Sequence, residues 1–185
     1  MNVTLDGFLA GPHYELDWHF ESWNGEMAES LAGQLGEADT ILLGRVTYKA
    51  MAAWWQNKIR DINTPRCDIA LASMMDNYTK IVFSRTLTAV TEWNNSRLAK
   101  GDMENEIHEL KKQPGRNLII YGSAGIVSAL LPLQVIDEFR VWIHPVVIGN
   151  GKALFKTVQQ TLYLQLQKTV VFKSGVVLLY YACKN

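Results

Sequence analysis

A chain of 185 residues is most economically one domain, taken here as residues 1–185, with length enough for a substantial core. Its 48% hydrophobic and 19% charged residues are those of an ordinary soluble globular protein, and 18 basic residues against 18 acidic ones give no net field toward nucleic acid or an anionic membrane. No apolar run reaches membrane-spanning length and the N-terminus lacks a basic-then-apolar signal, so a cytoplasmic location is expected. Cys67 and Cys183 have no metal-ligand spacing and are too few for a disulfide framework.

In chain order, Met1–Leu5 reads as a strand that Asp6-Gly7 turns, and Phe8 to Gly11 continues apolar until Gly11-Pro12 breaks it. His13–Asn24 is a loop in which Tyr14, Trp18, Phe20 and Trp23 interleave with acids. That much aromatic surface covers either its own core or a flat ligand. Met27, Ala28, Leu31, Ala32 and Leu35 share a helical face, capped by Asn24 and stopped by Gly36, with Glu26, Glu29 and Glu37 off the stripe.

Thr40–Met51 is a short apolar run, then Gly44, then a helix with Tyr48, Met51, Ala52 and Trp55 on one face. Thr47 reads as its N-cap, and Arg45 sits where it reaches an anion at the helix start. A weaker helical pattern runs through Ile69, Ala72 and Met75, and Lys80–Ser84 is a short buried strand ending in Arg85-Thr86. Asp102 caps a helix with Met103, Ile107 and Leu110 inward, ended by Pro114-Gly115.

Asn117–Leu131 has the build of the Gly44 segment. Leu118 to Tyr121 form a buried strand, Gly122-Ser123-Ala124-Gly125 a small-residue turn, and Ile126 to Leu131 an apolar helix stopped by Pro132. A strand feeding a helix through glycine leaves N–H groups and a helix dipole that suit a phosphate or pyrophosphate. The same glycines serve a tight connection without any ligand. Two such turns in one small domain favour a bound diphosphate more than either does alone.

Phe139–Ile148 is the next strand, with Pro145 marking an edge or bulge. Leu162, Leu164 and Leu166 alternate with polar or aromatic residues, and Ser174-Gly175 turn the chain into Val176–Ala182 as an antiparallel hairpin. Strands alternating with helices and then pairing at the end predict an α/β fold. Its central sheet is mixed and mostly parallel, with helices on both faces and an antiparallel edge.

Five pieces occur together and in order: Thr4-Leu5-Asp6-Gly7-Phe8, Gly44-Arg45-Val46-Thr47-Tyr48, Val82-Phe83-Ser84-Arg85-Thr86, Gly122-Ser123-Ala124-Gly125, and His144-Pro145-Val146-Val147-Ile148-Gly149-Asn150-Gly151. With them the chain resembles the dihydrofolate-reductase-like family over nearly its whole length. It is most similar to stand-alone homologues of the C-terminal reductase domain of the bifunctional riboflavin-biosynthesis deaminase-reductase. The resemblance implies a three-layer fold with NADPH across the C-terminal ends of the strands. Gly44, Arg45 and Thr47 would face the cofactor phosphates, Ser84 and Arg85 the adenosine 2′-phosphate, and Gly122, Ser123, Ala124, Gly125 and Ile126 would wrap the pyrophosphate.

The first strand looks shortened beside the family's, and the deaminase half is absent. His13-Tyr14-Glu15 lacks the P-C-x-x-C that completes a zinc site, so no metal is expected. Gly122-x-x-Gly125 is not the Rossmann fingerprint, and Gly149–Lys152 is no P-loop.

The reaction implied is hydride transfer from NADPH to a pterin-like or riboflavin-pathway pyrimidine-like small molecule, in the manner of a 5-amino-6-(5-phosphoribosylamino)uracil reductase or a dihydrofolate reductase. Asp6 and Glu29 are the candidate catalytic carboxylates, each also readable as an ordinary turn or surface acid. Asp6, Trp18 and Trp23 are candidates to touch the substrate. The alternative is a non-catalytic dinucleotide-binding or ligand-sensing module of the same fold. A homodimer is expected, with Tyr163, Tyr180 and Tyr181 of the terminal hairpin covering an apolar patch.

Overall fold

The structure, a computed structural model, describes residues 1–156 and 158–184; the side chains of residues 66 and 67, and with them the Cys67 thiol, lie outside the described set. The chain forms two compact units, Met1–Met27 with Val127–Asn185, and Ala28–Ile126.

The second unit is built on a wholly parallel sheet. Its strands are β3 (Ala38–Gly44), β4 (Thr79–Phe83), β5 (Ser96–Leu98) and β6 (Asn117–Ile120), in the order β5-β4-β3-β6. Ile41, Leu42 and Leu43 of β3 and Ile81 and Val82 of β4 are buried on both sides, the near-continuous apolar run that a parallel strand covered on two faces requires. β6 is half-buried rather than buried, and it ends at Ile120. The short β5, SRL, carries too little apolar patterning to announce itself in the sequence.

Helix α1 (Gly25–Gly36) opens as expected, Asn24 Oδ1 accepting the Met27 N–H at 3.1 Å, and buries Ala28, Leu31 and Leu35. Helix α2 (Arg45–Arg60) follows β3 directly and buries Tyr48 and Ala52, while α3 (Arg66–Asn77) buries Leu71, Ala72 and Met75 and leaves Ile69 exposed. Helix α4 (Met103–Lys112) is capped by Asp102, which accepts the Asn105 N–H at 2.9 Å. Its Glu106 is buried in an ion pair with Arg97.

One buried cation belongs to this unit. Lys80 of β4 is fully covered, and its ammonium donates to the Asp76 and Tyr78 carbonyls at the end of α3 while lying 4.6 Å from the Trp93 ring centroid.

The first unit holds β1 (Asn2–Thr4), β2 (Phe8–Ala10), β7 (Glu138–His144), β8 (Lys152–Ala153), β9 (Leu164–Val171) and β10 (Val177–Cys183). Four of them form a mixed sheet in the order β1-β7-β10-β9, with β1 parallel to β7 and β10 antiparallel to both neighbours. The terminal hairpin is as expected, turning at Gly175 with φ +85°. Strand β7 stops at His144, so Pro145 closes the strand instead of interrupting it. β2 and β8 make a separate two-stranded pair. Helix α5 (Ala124–Leu130) begins inside the small-residue turn, two residues earlier than the apolar run suggests.

Candidate functional site

Because β4, β3 and β6 are parallel neighbours, the segments leaving their C-terminal ends emerge along one edge of the sheet. Those segments are Ser84-Arg85, Gly44 with α2, and Gly122-Ser123 with α5. Strands are spaced about 4.8 Å apart, so two intervals span about 10 Å, the scale of a diphosphate with its flanking sugars. All ten residues expected to hold the cofactor thus lie in one unit and along one edge.

The two glycine turns are in contact. A Cβ on Gly44 would stand 3.1 Å from Ser123 Oγ and 3.3 Å from Ile126 Cγ1, and one on Gly122 would meet Thr47 Cγ2 at 3.5 Å and Oγ1 at 3.7 Å. Gly122 has φ +119°, a conformation open to glycine, and its peptide bond to Ser123 is cis.

Thr47 is not the cap of α2. Gly44 occupies that position with extended backbone (φ −82°, ψ 158°), and no side-chain hydrogen bond caps the helix. The first-turn N–H groups of a sixteen-residue helix are left for solvent or an anion. Thr47, one turn in, faces Gly122 instead.

Arg45 and Arg85 are exposed and make no ion pair among the described residues. Ser84 Oγ accepts the N–H groups of Thr86 at 3.2 Å and Leu87 at 3.0 Å. The hydroxyl thereby fixes the turn that presents Arg85, and it keeps its own proton to donate.

In the first unit, Asp6 clamps two loops together. Its carboxylate accepts the Gly149 N–H at 2.8 Å and the Ile148 N–H at 3.4 Å. The Thr4 hydroxyl beside it, with those backbone donors, holds its pKa below the usual aspartate value. Asp6 is therefore a carboxylate near neutrality. The same clamp presents two apolar side chains to solvent, Leu5 at 67% exposure and Val147 at 65%, with Leu5 N–H donating to Val146 O at 2.8 Å. Both residues stand inside quoted motifs, and their apolar character at a turn is the signal that sequence reading passed over.

Trp18 and Trp23 both meet protein rings. Trp18 lies edge-on to His144, centroids 5.3 Å apart, and Trp23 lies 6.3 Å from Trp142, which stacks on Phe172. His144 is fully buried, Nδ1 2.7 Å from Ser22 Oγ and Nε2 3.1 Å from Asn2 Oδ1. Burial, with His19 nearby, pushes its pKa down to about 4, so the ring is neutral. With Nε2–H donating to Asn2 Oδ1, Nδ1 accepts from Ser22. Glu29 lies exposed on α1. The structure thus gathers the residues expected to face phosphates along one sheet edge, and it places Asp6, Trp18 and Trp23 in the other unit.

Comparison with known proteins fits this geometry. The model of the RibD C-terminal domain matches residues 1–178. The chain belongs to the RibD C-terminal domain family. It is 35% identical over 179 residues to the uncharacterized protein YyaP of Bacillus subtilis (strain 168), covering 97% of this chain and 90% of that one. Among solved structures, a protein assigned to riboflavin biosynthesis from Shewanella sp. PV-4 aligns with a TM-score of 0.80 at 21% identity, over 100% of this chain and 97% of the other. Dihydrofolate reductase from Enterococcus faecalis, solved with NADP(H), aligns at 0.62 with 15% identity, over 100% and 94%. The dihydrofolate-reductase-like α/β fold expected from the sequence is the fold of this chain.

Proposed function

We propose that this RibD-type domain is an NADPH-dependent reductase that delivers hydride to a pterin-like or pyrimidine-like small molecule. The observation that carries the reading is the uncapped start of α2 packed through Gly44 against the Gly122–Ile126 turn, beside Ser84-Arg85 on the same sheet edge. A second glycine turn, an open helix N-terminus and two exposed guanidinium groups fit the phosphates of a dinucleotide. The Enterococcus faecalis dihydrofolate reductase of similar fold was solved with NADP(H), which supports the cofactor.

On this reading Gly44, Arg45 and Thr47 hold the phosphates, Gly122, Ser123, Ala124, Gly125 and Ile126 enclose the pyrophosphate, and Ser84 with Arg85 reads the 2′-phosphate. The cofactor, when bound, supplies the hydride. Leu5 and Val147 give a flat ring an apolar surface, and Asp6 fixes the loops that carry them. Trp18 and Trp23, engaged by His144 and Trp142, are assigned to holding the loop around them in place. Glu29, exposed on α1, remains the carboxylate free to serve the substrate. The family model's span over residues 1–178 supports treating both compact units as one domain. No helix among the described residues is long and apolar enough to cross a membrane.

The second reading is a dinucleotide-binding or sensing module without turnover, favoured by the engagement of Asp6 in loop clamping. Following NADPH absorbance against a panel of pterins and pyrimidines separates the two. Turnover of any member supports the reductase, and binding without turnover on the whole panel supports the sensor.

A further inference from the structure

Three places in the chain set a glycine directly after an Asn or Asp: Asp6-Gly7, Asn24-Gly25 and Asn150-Gly151. Glycine has no side chain to shield its nitrogen, which can close on the side-chain carbonyl carbon of the residue before it and form a succinimide. The closure needs two groups free at once, the glycine N–H and the preceding side chain. All three pairs lie in the first unit, and the fold treats them differently. Gly7 N–H donates to Thr4 O at 2.9 Å, and the Asp6 carboxylate is held by the Gly149 and Ile148 N–H groups, so both partners there are occupied. Asn24 Oδ1 accepts the Met27 N–H at 3.1 Å, and Gly25 is the first residue of the helix so capped. Asn150 is exposed in the turn before β8. Among the described residues neither its side chain nor the Gly151 N–H has a hydrogen-bond partner. The fold also demands the glycine, because a Cβ at Gly151 would collide with Ala10 O.

We propose that Asn150 is a self-modification site at which the chain converts to aspartate and isoaspartate, while Asp6 and Asn24 are protected by the bonds that hold them. The Gly151 nitrogen bonds to Asn150 Cγ, and the bond from Cγ to the side-chain nitrogen breaks. The departing amide leaves as ammonia, its proton replacing the one that Gly151 gives up. Water then opens the ring. Opening at Cγ gives aspartate, and opening at the main-chain carbonyl gives isoaspartate, whose backbone runs through Cβ. One water is taken up, one ammonia is released, and nothing is oxidised or reduced. The new carboxylate stands one residue from Gly149, whose N–H Asp6 holds at 2.8 Å. An isoaspartyl link also adds a backbone carbon between that clamp and the pairing of Lys152 with Ala10. Both changes loosen the tie between the two loops. The proposal stands independently of the cofactor reading.

The test incubates the full chain in mildly alkaline buffer and follows deamidation by peptide mass spectrometry, with labelling by an isoaspartyl methyltransferase as a second readout. The samples are wild type, Asn150→Gln, and wild type unfolded in urea. The Asn150 side chain is exposed, so Asn150→Gln is expected to keep the wild-type melting temperature. In the folded chain Asn150 converts at least about tenfold faster than Asn24, whose cap and first helical turn must open first. In urea the two sites convert at like rates, since both are Asn-Gly and neither is held. Methyl labelling of the folded wild type is lost in Asn150→Gln. The converted protein, separated from the fresh by its added charge, melts below it. Equal rates at Asn150 and Asn24 in the folded chain overturn the proposal, as does an Asn150 that stays intact when folded and converts only in urea. A converted form that melts with the fresh chain overturns its coupling to the Asp6 clamp.

Discussion

Gly44 lies against Ser123, so close that a Cβ on the glycine would stand 3.1 Å from the serine Oγ and 3.3 Å from Ile126 Cγ1. This contact joins the two glycine turns of the parallel sheet. Gly44→Ala, which adds a methyl to a packed site, is expected to cost about 1–3 kcal/mol and to weaken NADPH binding. Gly33→Ala is the matched control. Gly33 lies within α1 with open space around it, and there alanine should stabilise by about 0.5–1 kcal/mol through helix propensity. Thermal melts and cofactor titration of both variants check the pair.

Asp6 is the second pivot. Its carboxylate joins the loop after β1 to the loop after β7. Asp6→Ala should free Leu5 and Val147, lowering turnover while NADPH affinity, which the proposed function assigns to residues of the other unit, stays within about twofold. The hydrogen bonds hold the Asp6 pKa below 3.8, so its support of the loop is present above that value and lost as pH falls beneath it. Steady-state rates alongside calorimetric titration measure the split. Unchanged turnover in Asp6→Ala would remove Asp6 from the site.

His144 makes the fold sensitive to acid. Its folded pKa of about 4 lies below the ordinary 6.5, so between those values the unfolded chain binds the proton and the folded chain does not. Stability therefore falls as pH drops from 6.5 toward 4, by up to about 3 kcal/mol. Urea midpoints measured from pH 7.5 to 4.5 should fall steeply for wild type. His144→Gln should start lower, having disturbed the Ser22 and Asn2 hydrogen bonds, and follow a flatter line.

Lys80 gives a dependence of the same sign in the alkaline range. Burial lowers its pKa from 10.5 to about 8, so between these values the unfolded chain holds more protons and stability rises with pH. Lys80→Met removes that rise. It also leaves the Asp76 and Tyr78 carbonyls without the ammonium, a loss of about 1–3 kcal/mol at pH 7. Urea titrations at pH 7 and pH 9.5 report both effects.

Much of this architecture is legible in local chemistry. Asn24 and Asp102 cap their helices because short polar side chains reach first-turn N–H groups, and Ser174-Gly175 turns the hairpin because glycine takes positive φ. What escaped depends on partners distant in sequence. Thr47 looks like a cap until Gly44, in extended backbone, takes that position. Lys80 opens the strand expected to be buried, and nothing in the sequence near it shows that Trp93 and the end of α3 close over its ammonium. His144 and Asn2 meet across 142 residues, and no periodicity announces such a pair. Tyr180 and Tyr181 look alike in sequence, and only the strand register sends them to opposite faces.

The most direct test of the reductase account is calorimetric titration of NADPH and NADH into wild type, Arg45→Ala and Arg85→Ala. The two cofactors differ by one phosphate, and a hydrogen bond to a charged group is worth about 1.5–3 kcal/mol. The account predicts that wild type prefers NADPH and that removing the arginine on the 2′-phosphate weakens NADPH by about tenfold to a hundredfold while NADH is nearly untouched. Full NADPH affinity in both variants would place the phosphate elsewhere, and a wild type that binds neither cofactor would contradict the account.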